Sequence, residues 1–181
     1  MSDRRRINNL ALIGFMGTGK SSVGQLAAAQ LQFKFLDTDE LIETCAGRSI
    51  SEIFARDGEA AFRELERQVV ADLCERTQYV IATGGGLGAN AANLASLKTH
   101  ALVVCLWASP EAIWERVGHQ THRPLLHDPD PQGKIRRLLE HREPLYRQAD
   151  VLVNTEMRSV REVAQQVLHQ FHLARNGQSG A

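Results

Sequence analysis

A glycine-rich octapeptide, residues 14 to 21, narrows the choice of folds for this chain of 181 residues more than any other segment. It reads Gly-Phe-Met-Gly-Thr-Gly-Lys-Ser, which fits the pattern G-x-x-x-x-G-K-[ST], and it stands between an apolar run from Leu10 and a helical pattern from Ser22. In such a loop the backbone N–H groups can surround a phosphate, and the following helix N-terminus adds positive potential. The motif therefore predicts a nucleoside-triphosphate site on an α/β fold. An incidental glycine-rich turn would not need this strand–loop–helix setting.

The residues of this loop have distinct expected roles. Lys20 is expected to reach the β- and γ-phosphates, and the Ser21 hydroxyl can ligate Mg²⁺. The residues expected to hold the nucleotide phosphates are Gly17, Thr18, Gly19, Lys20, Ser21 and Ser22. A signalling GTPase would also need an N-K-x-D motif that reads the base, and the sequence contains none. A regulatory switch is therefore not expected.

Short apolar runs alternate along the chain with longer amphipathic segments. The candidate strands are Leu10–Gly14, Phe33–Asp37, Tyr79–Thr83, Ala101–Trp107 and Val151–Asn154. Most of them are nearly continuous apolar runs, as expected of strands covered by helices on both faces. This alternation predicts a parallel sheet with right-handed crossovers.

Polar residues predict where several helices begin. Ser49 with Glu52, and Ser159 with Glu162, have the spacing of a capping box. Ser109 precedes a proline and an acid, a combination that is favoured in the first turn of a helix.

The length predicts one domain, residues 1–175, since domains typically run to about 100–200 residues. Residues 118–133 carry three prolines and three histidines, and they are expected to form a lid, because a long loop in a compact domain is usually functional. The tail, residues 176–181, reads Asn-Gly-Gln-Ser-Gly-Ala and is expected to be disordered.

Composition excludes several classes of partner. Lys plus Arg, 21 residues, equals Asp plus Glu, also 21, so no nucleic-acid partner is expected. No stretch approaches the roughly 20 apolar residues of a membrane span. The cysteines, at 45, 74 and 105, form no C-x-x-C pair, which is typical of reduced thiols in a cytoplasm. We expect a cytoplasmic protein, and a monomer because the sequence shows no exposed apolar stripe.

Two carboxylates, Asp37 and Asp39, stand at the end of the second predicted strand. The carboxyl ends of parallel strands are where ligands bind in open α/β sheets, so both acids should lie beside the phosphate loop. One could serve Mg²⁺, and one could orient an acceptor hydroxyl and take its proton. The alternative is that both acids cap the next helix, and the two residues alone leave both interpretations open.

Three consecutive glycines, Gly84, Gly85 and Gly86, follow Thr83 at the end of the third predicted strand. Their backbone amides are bare, so a ligand can approach closely. By itself this could be a tight turn, but beside a phosphate loop it favours a ligand site.

Two arginines, Arg63 and Arg142, are candidates for binding an anionic acceptor, because arginine recognises carboxylates through two parallel hydrogen bonds. Each also has a simpler interpretation. Arg63 has Glu59 and Glu66 within helical reach for surface ion pairs, and Arg142 lies where Pro144 should disturb a helix.

Arg123, in the predicted lid, could reach the transferring phosphoryl group when the lid closes and excludes water. Its neighbours His119, His122 and His127 could be read as metal ligands, but no cysteine accompanies them. A lid is the favoured interpretation.

Taken together, these motifs resemble the shikimate kinase family in order and approximate spacing, from about residue 8 to residue 168. The segments that carry the resemblance are the octapeptide at 14–21, Leu36-Asp37-Thr38-Asp39, Phe62-Arg63-x-x-Glu66, Thr83-Gly84-Gly85-Gly86, Arg123-Pro124-Leu125-Leu126 and Arg142-x-Pro144-Leu145-Tyr146. The resemblance implies the three-layer α/β/α fold of nucleoside monophosphate kinases, with a five-stranded parallel sheet, a mobile lid and a substrate-binding helical region. It implies transfer of the γ-phosphoryl group of ATP, with Mg²⁺, to the 3-hydroxyl of shikimate in aromatic amino-acid biosynthesis.

The resemblance also implies residue roles. Asp39 would engage the acceptor hydroxyl as the base, with Lys20 and Arg123 at the phosphates. The substrate-binding residues would be Asp39, Arg63, Gly84, Gly85, Gly86 and Arg142, with the two arginines on the shikimate carboxylate. Ser21 and Asp37 would hold Mg²⁺, and Arg116 would lie against the adenine. The adenosine contact near residues 154–158 stays open.

Three alternatives remain. A gluconate kinase has a similar build and also takes a hydroxy acid, but the combination of Asp39, Arg63 and Arg142 favours shikimate. A nucleoside monophosphate kinase would need a second base-reading set, which the sequence does not show. A non-enzymatic ATP-binding module would keep Lys20 and Ser21 but would not need the acceptor residues.

Overall fold

The computed structural model of the protein describes residues 5–119 and 128–179. The strands are β1 (Asn9–Ile13), β2 (Lys34–Asp37), β3 (Tyr79–Ala82), β4 (Ala101–Trp107) and β5 (Val151–Asn154). The helices are α1 (Lys20–Leu31), α2 (Thr38–Ala46), α3 (Ile50–Leu73), α4 (Ala91–His100), α5 (Pro110–Val117), α6 (Pro131–Tyr146) and α7 (Val160–Ser179), with a 3₁₀ turn at Leu87–Ala89.

The five strands form one sheet in the order β2-β3-β1-β4-β5, and every neighbouring pair is parallel. The predicted α/β class and parallel sheet are confirmed. The predicted strand ends differ from the observed ones by at most one residue. Gly14 lies just outside β1 because its φ of 135° begins the phosphate loop.

Successive residues of β1 belong to two different hydrophobic clusters, one on each face of the sheet. The helices in these clusters form the two outer layers of the fold. Ala11 and Ile13 pack with α3, α4, α5 and α6, whereas Leu10 and Leu12 pack with α1 and α7. A strand covered on both faces is expected to be almost continuously apolar. All five residues of β1 are buried and four of them are apolar, while the Asn9 amide is hydrogen-bonded to the Arg76 carbonyl and the Tyr79 N–H. The three-layer architecture holds the carboxyl ends of the strands, and the loops that follow them, at one edge of the sheet.

The predicted helix starts are confirmed. Ser49 and Glu52 form a reciprocal capping box at α3, and Ser159 and Glu162 make the same pair of hydrogen bonds before α7. The Ser109 hydroxyl accepts a hydrogen bond from the N–H of the third residue after it, at the start of α5.

Three regions differ from the sequence-based expectation. The predicted lid is shorter at its C-terminal side, because α6 already begins at Pro131, a residue that the first turn of a helix accommodates. Pro144 does not interrupt α6, which continues to the buried Tyr146. The predicted disordered tail is wrong for residues 176–179, which continue α7; extending an existing helix avoids the cost of nucleation.

Helix α3 is kinked, which the sequence pattern did not predict. Gly58 has φ 80° and ψ 176°, so the helix consists of two segments that meet there. The bend sets the first segment, after α2, at an angle to the second segment, which carries Arg63 and Glu66.

No helix in residues 5–119 and 128–179 is long and apolar enough to cross a membrane.

Candidate active site

The phosphate loop joins β1 to α1 in a backbone conformation that needs its glycines. Gly17 and Gly19 have φ values of 75° and 89°, in the left-handed region that disfavours other residues. At Gly14 a Cβ would overlap the carbonyl of Leu106, so glycine is required there by clearance as well as by conformation. The loop thereby presents its N–H groups at the start of α1.

Lys20 is buried at the first position of α1, and its ammonium group is folded back onto the loop. Its Nζ donates to the carbonyl oxygens of Gly14, at 2.9 Å, and Phe15, at 2.8 Å. The Thr18 hydroxyl donates to the same Phe15 carbonyl at 2.8 Å. These hydrogen bonds fix the shape of the loop and hold the Lys20 ammonium group within it.

A cleft of about 500 Å³ opens beside this loop. Its lining includes phosphate-loop residues, the aspartates at and just after the end of β2, one glycine of the turn after β3, and one arginine of α5; these are Gly17, Gly19, Lys20, Ser21, Ser22, Asp37, Asp39, Gly85 and Arg116. The sheet thus brings together segments that are far apart in sequence, as predicted for the carboxyl ends of parallel strands.

Asp37 has two roles at once. Its Oδ1 accepts a hydrogen bond from the N–H of Asp39 at 3.0 Å and so caps α2, while its Oδ2 accepts from the Ser21 hydroxyl at 2.9 Å. The helix-cap interpretation is therefore correct for Asp37. The second oxygen and the Ser21 hydroxyl form a pair of hard oxygen donors at the cleft, the kind of ligand that Mg²⁺ prefers.

These two donors fit a magnesium site that has few protein ligands. The described residues contain no group of three or more His, Cys, Asp or Glu side chains placed to hold a metal ion. Mg²⁺ usually takes only one or two protein ligands and completes its coordination with phosphate and water. Ser21 and Asp37 are sufficient for that arrangement.

Asp39 does not cap α2; its carboxylate points into the cleft. Burial raises the pKa of Asp39 to about 6, and the neighbouring carboxylates of Asp37 and Glu66 act in the same direction. The Lys20 ammonium acts in the opposite direction. A carboxylate with a pKa near neutrality is suited to accept a proton from a substrate and release it afterwards.

The three glycines after β3 each contact a different part of the site. A Cβ on Gly84 would overlap the Asp39 carboxylate, and a Cβ on Gly86 would stand 2.8 Å from Nη1 of Arg63. The carbonyl of Gly85 accepts hydrogen bonds from Nη1 of Arg142, at 2.8 Å, and from the Tyr146 hydroxyl, at 3.1 Å. The three glycines are therefore more than an isolated tight turn, because the turn packs against Asp39, Arg63 and Arg142.

Arg63 makes both of the ion pairs that helical spacing suggested. Its Nε and Nη2 donate to Glu59 at 3.2 and 2.9 Å, and its Nη1 donates to Glu66 at 2.6 Å. The pair with Glu66 is not a surface pair, since that side chain is only 1% exposed. Burial raises the pKa of Glu66, although the Arg63 guanidinium opposes this effect. The sequence does not mark Glu66 as a site residue, because helical spacing alone does not reveal burial.

Arg142 has different surroundings. Apart from its bond to Gly85, its guanidinium carbon lies 5.3 Å from the centroid of the Phe15 ring. Among the described residues, no carboxylate stands within salt-bridge distance of it. Arg63, Arg142 and Gly86 line a second hollow of about 200 Å³. Gly86 follows Gly85 of the main cleft, so the arginine hollow and the cleft meet at the glycine turn.

Arg116 lines both the main cleft and a third hollow of about 200 Å³ on the α7 side of the phosphate loop. It donates to the Gly17 carbonyl at 3.2 Å, the Thr155 hydroxyl at 2.9 Å and the Thr155 carbonyl at 2.8 Å. Thr155 and Arg158 line the third hollow. The adenosine contact near residues 154–158 could not be predicted, because no local motif marks this segment.

Arg123 and the rest of the Arg-Pro-Leu-Leu segment fall outside the described residues, so the predicted lid arginine stays a prediction. His122 and His127 lie there as well, so nothing tests the metal-ligand interpretation that the sequence disfavoured.

The fold and the cleft define an ATP-dependent kinase of the P-loop class. A sequence model of the shikimate kinase family matches residues 16–172. A curated relative named shikimate kinase, from Thermodesulfovibrio yellowstonii, is 42% identical over 173 residues, which are 96% of this chain and 100% of the relative. The chain belongs to the shikimate kinase family.

Solved structures agree with this assignment. The shikimate kinase from Acinetobacter baumannii, determined in complex with shikimate, superposes with a TM-score of 0.88 at 37% identity, over 94% of this chain and 96% of that one. A gluconokinase from Sinorhizobium meliloti reaches a TM-score of 0.65 at 19% identity, over 97% of this chain and 98% of that one. The latter likeness shows a shared fold and does not support the gluconate alternative.

Proposed function

We propose that this protein transfers the γ-phosphoryl group of ATP to the 3-hydroxyl of shikimate, giving shikimate 3-phosphate and ADP, in aromatic amino-acid biosynthesis. The observation that carries the proposal is the position of Asp39. Its carboxylate lies in the cleft with Lys20 and Ser21 of the phosphate loop, and it is packed against the glycine turn that contacts both arginines.

The nucleotide end of the cleft would bind ATP through its fixed loop. The N–H groups from Gly17 to Ser22 would surround the phosphates, and Lys20 would exchange its bonds to two carbonyls for bonds to phosphate oxygens. The hollow that Arg116 shares with Thr155 and Arg158 would take the adenosine. Ser21 and Asp37 would hold Mg²⁺, whose chemistry here is to neutralise charge on the β- and γ-phosphates.

The acceptor would be oriented by the rest of the cleft. Arg63 and Arg142 would bind its carboxylate, and the backbone of Gly84, Gly85 and Gly86 would line its pocket. The Asp39 carboxylate would accept the proton of the 3-hydroxyl as that oxygen bonds to the γ-phosphorus and the bond to the β–γ bridging oxygen breaks. ADP leaves with the bridging oxygen, and Asp39 later returns the proton to solvent.

The predicted lid, which ends before α6 begins at Pro131, would close over the phosphates, with Arg123 stabilising charge on the transferring group. Closure excludes water, which would otherwise act as the acceptor. We further propose that the protein is cytoplasmic, which its scattered free cysteines support, and that it is a monomer.

The proposal is tested by Mg²⁺-dependent ADP release from ATP with shikimate, gluconate, a nucleoside monophosphate or no acceptor, and by NMR of the phosphorylated product. We expect strong stimulation by shikimate alone and a product phosphorylated at the 3-position. Stimulation by a different acceptor would retain the phosphate-loop chemistry and overturn the substrate. Measurable ATP binding with no acceptor-dependent turnover would favour a non-enzymatic binding module.

A further inference from the structure

Phe15 occupies a position that the phosphate-loop motif leaves free for any residue. Its side chain is nevertheless buried, with 1% exposure. The backbone carbonyl of Phe15 accepts hydrogen bonds from Lys20 and Thr18 within the loop, while its ring lies under the guanidinium of Arg142. One residue of the nucleotide loop therefore contacts an arginine on the acceptor side of the cleft.

Within the part of the chain that the structure describes, Arg63 has two ion-pair partners and Arg142 has none. Arg63 is held by two carboxylates, those of Glu59 and Glu66. Among the described residues, Arg142 donates a hydrogen bond to the neutral carbonyl of Gly85, lies beside the Tyr146 hydroxyl and has the Phe15 ring at 5.3 Å. Glu66 attracts its charge, but from beyond salt-bridge distance. A ring beneath a guanidinium attracts its charge and sets the orientation of its plane, while the N–H donors at the edges stay available.

We propose that Phe15 is a positioning residue for the acceptor: its ring holds the Arg142 guanidinium so that the remaining N–H donors face the hollow shared with Arg63. A guanidinium has five N–H donors, so several are left for a carboxylate after the bond to Gly85. The inference rests on the proposed function, because it assigns that hollow to the carboxylate of the acceptor. It gives the phosphate loop a second task, setting acceptor affinity through a side chain at a variable position of the motif.

The test replaces Phe15 by leucine, which removes the ring and keeps an apolar side chain. The KM for shikimate, measured at saturating ATP, should rise by about 5- to 30-fold, the range expected on losing a partly desolvated cation–π contact. The effect on kcat should be smaller than the effect on KM, and the Kd for ATP should stay within about twofold. Phe171→Leu is the matched control, because Phe171 is fully buried in the other cluster, against Phe33, and should leave the shikimate KM unchanged.

A double-mutant cycle distinguishes action through Arg142 from general loosening of the loop. In an Arg142→Ala background, Phe15→Leu should add little to the loss of shikimate affinity, measured by direct titration, because its partner is already gone. If leucine prevents folding, Phe15→Met fills a similar volume without a ring. An unchanged shikimate KM, the same fold-loss in both backgrounds, or an effect confined to ATP would overturn the proposal. Shikimate-dependent turnover by the unmodified protein tests the underlying function separately.

Discussion

The carboxylate of Asp39 lies against the Cα of Gly84, so close that a Cβ on Gly84 would overlap a carboxylate oxygen. Gly84 also donates its N–H to the Thr38 hydroxyl at 2.9 Å, which ties the glycine turn to the start of α2. Gly84 is not among the residues with positive φ, so clearance rather than backbone conformation requires glycine here. The turn after β3 thus sets where the acid after β2 can stand.

Gly84→Ala should therefore damage catalysis more than folding. The added methyl group would push the Asp39 carboxylate aside, and misplacing a reacting group by about 1 Å can lower turnover by roughly 10²-fold. Steady-state kcat and thermal denaturation would be measured together. Gly177→Ala is the control, because a Cβ there meets nothing within 4 Å. A Gly84→Ala protein with normal kcat would show that Asp39 tolerates displacement and does not act as the base.

Asp39→Asn should separate nucleotide binding from turnover. The amide keeps the shape of the side chain but cannot take the proton, so we expect kcat to fall by roughly 10²- to 10⁴-fold while the Kd for ATP changes little. Asp72→Asn, an exposed position on α3 with the same change of charge, should have normal kcat. Near-normal turnover by Asp39→Asn would remove Asp39 from the role of base.

The carboxyl group of Asp39 should titrate near pH 6 in the ligand-free protein, against an ordinary value of 3.8. Burial raises this pKa, so the carboxyl group is protonated below pH 6 and becomes the competent base above it. Carbon-13 NMR of carboxyl-labelled aspartate would follow the transition, and Asp39→Asn would identify the resonance by its loss. An Asp39 resonance that titrates near pH 4 would mean that the cleft is effectively solvated.

The local parts of the fold could be predicted from the sequence because their signals are local. Continuous apolar runs mark β1 and β4, since strands buried on both faces have no polar side. Capping boxes mark the starts of α3 and α7, since their partners are three residues apart. The kink in α3 could not be predicted, because a glycine within a helical pattern is usually tolerated. Nothing nearby in the sequence shows that Gly58 adopts a positive φ.

The candidate site, like the fold, has one part that local sequence predicts and another part that it does not. The phosphate loop could be predicted because its chemistry is contained in eight consecutive residues. The contact between Phe15 and Arg142 could not, because the two residues are far apart in sequence and meet only through the sheet. Helical spacing placed Glu66 beside Arg63, but only packing shows that Glu66 is buried and raises the pKa of Asp39.

Arg142→Ala tests the acceptor side of the site. Removing the guanidinium should weaken binding of a carboxylate acceptor by roughly 2–5 kcal/mol, as is usual when one partner of a partly buried charge pair is lost. Arg147→Ala is the matched control, because Arg147 is exposed and pairs with Glu143 at the end of α6. It should leave acceptor affinity unchanged.

Recognition of the acceptor carboxylate by Arg142 is tested by comparing shikimate with its methyl ester, which lacks the carboxylate charge, in titrations of the unmodified protein and Arg142→Ala. We predict that the unmodified protein binds shikimate far more tightly than the ester, and that Arg142→Ala reduces this preference by at least about tenfold. Equal binding of acid and ester by the unmodified protein would overturn this role of Arg142, as would a preference that Arg142→Ala leaves intact.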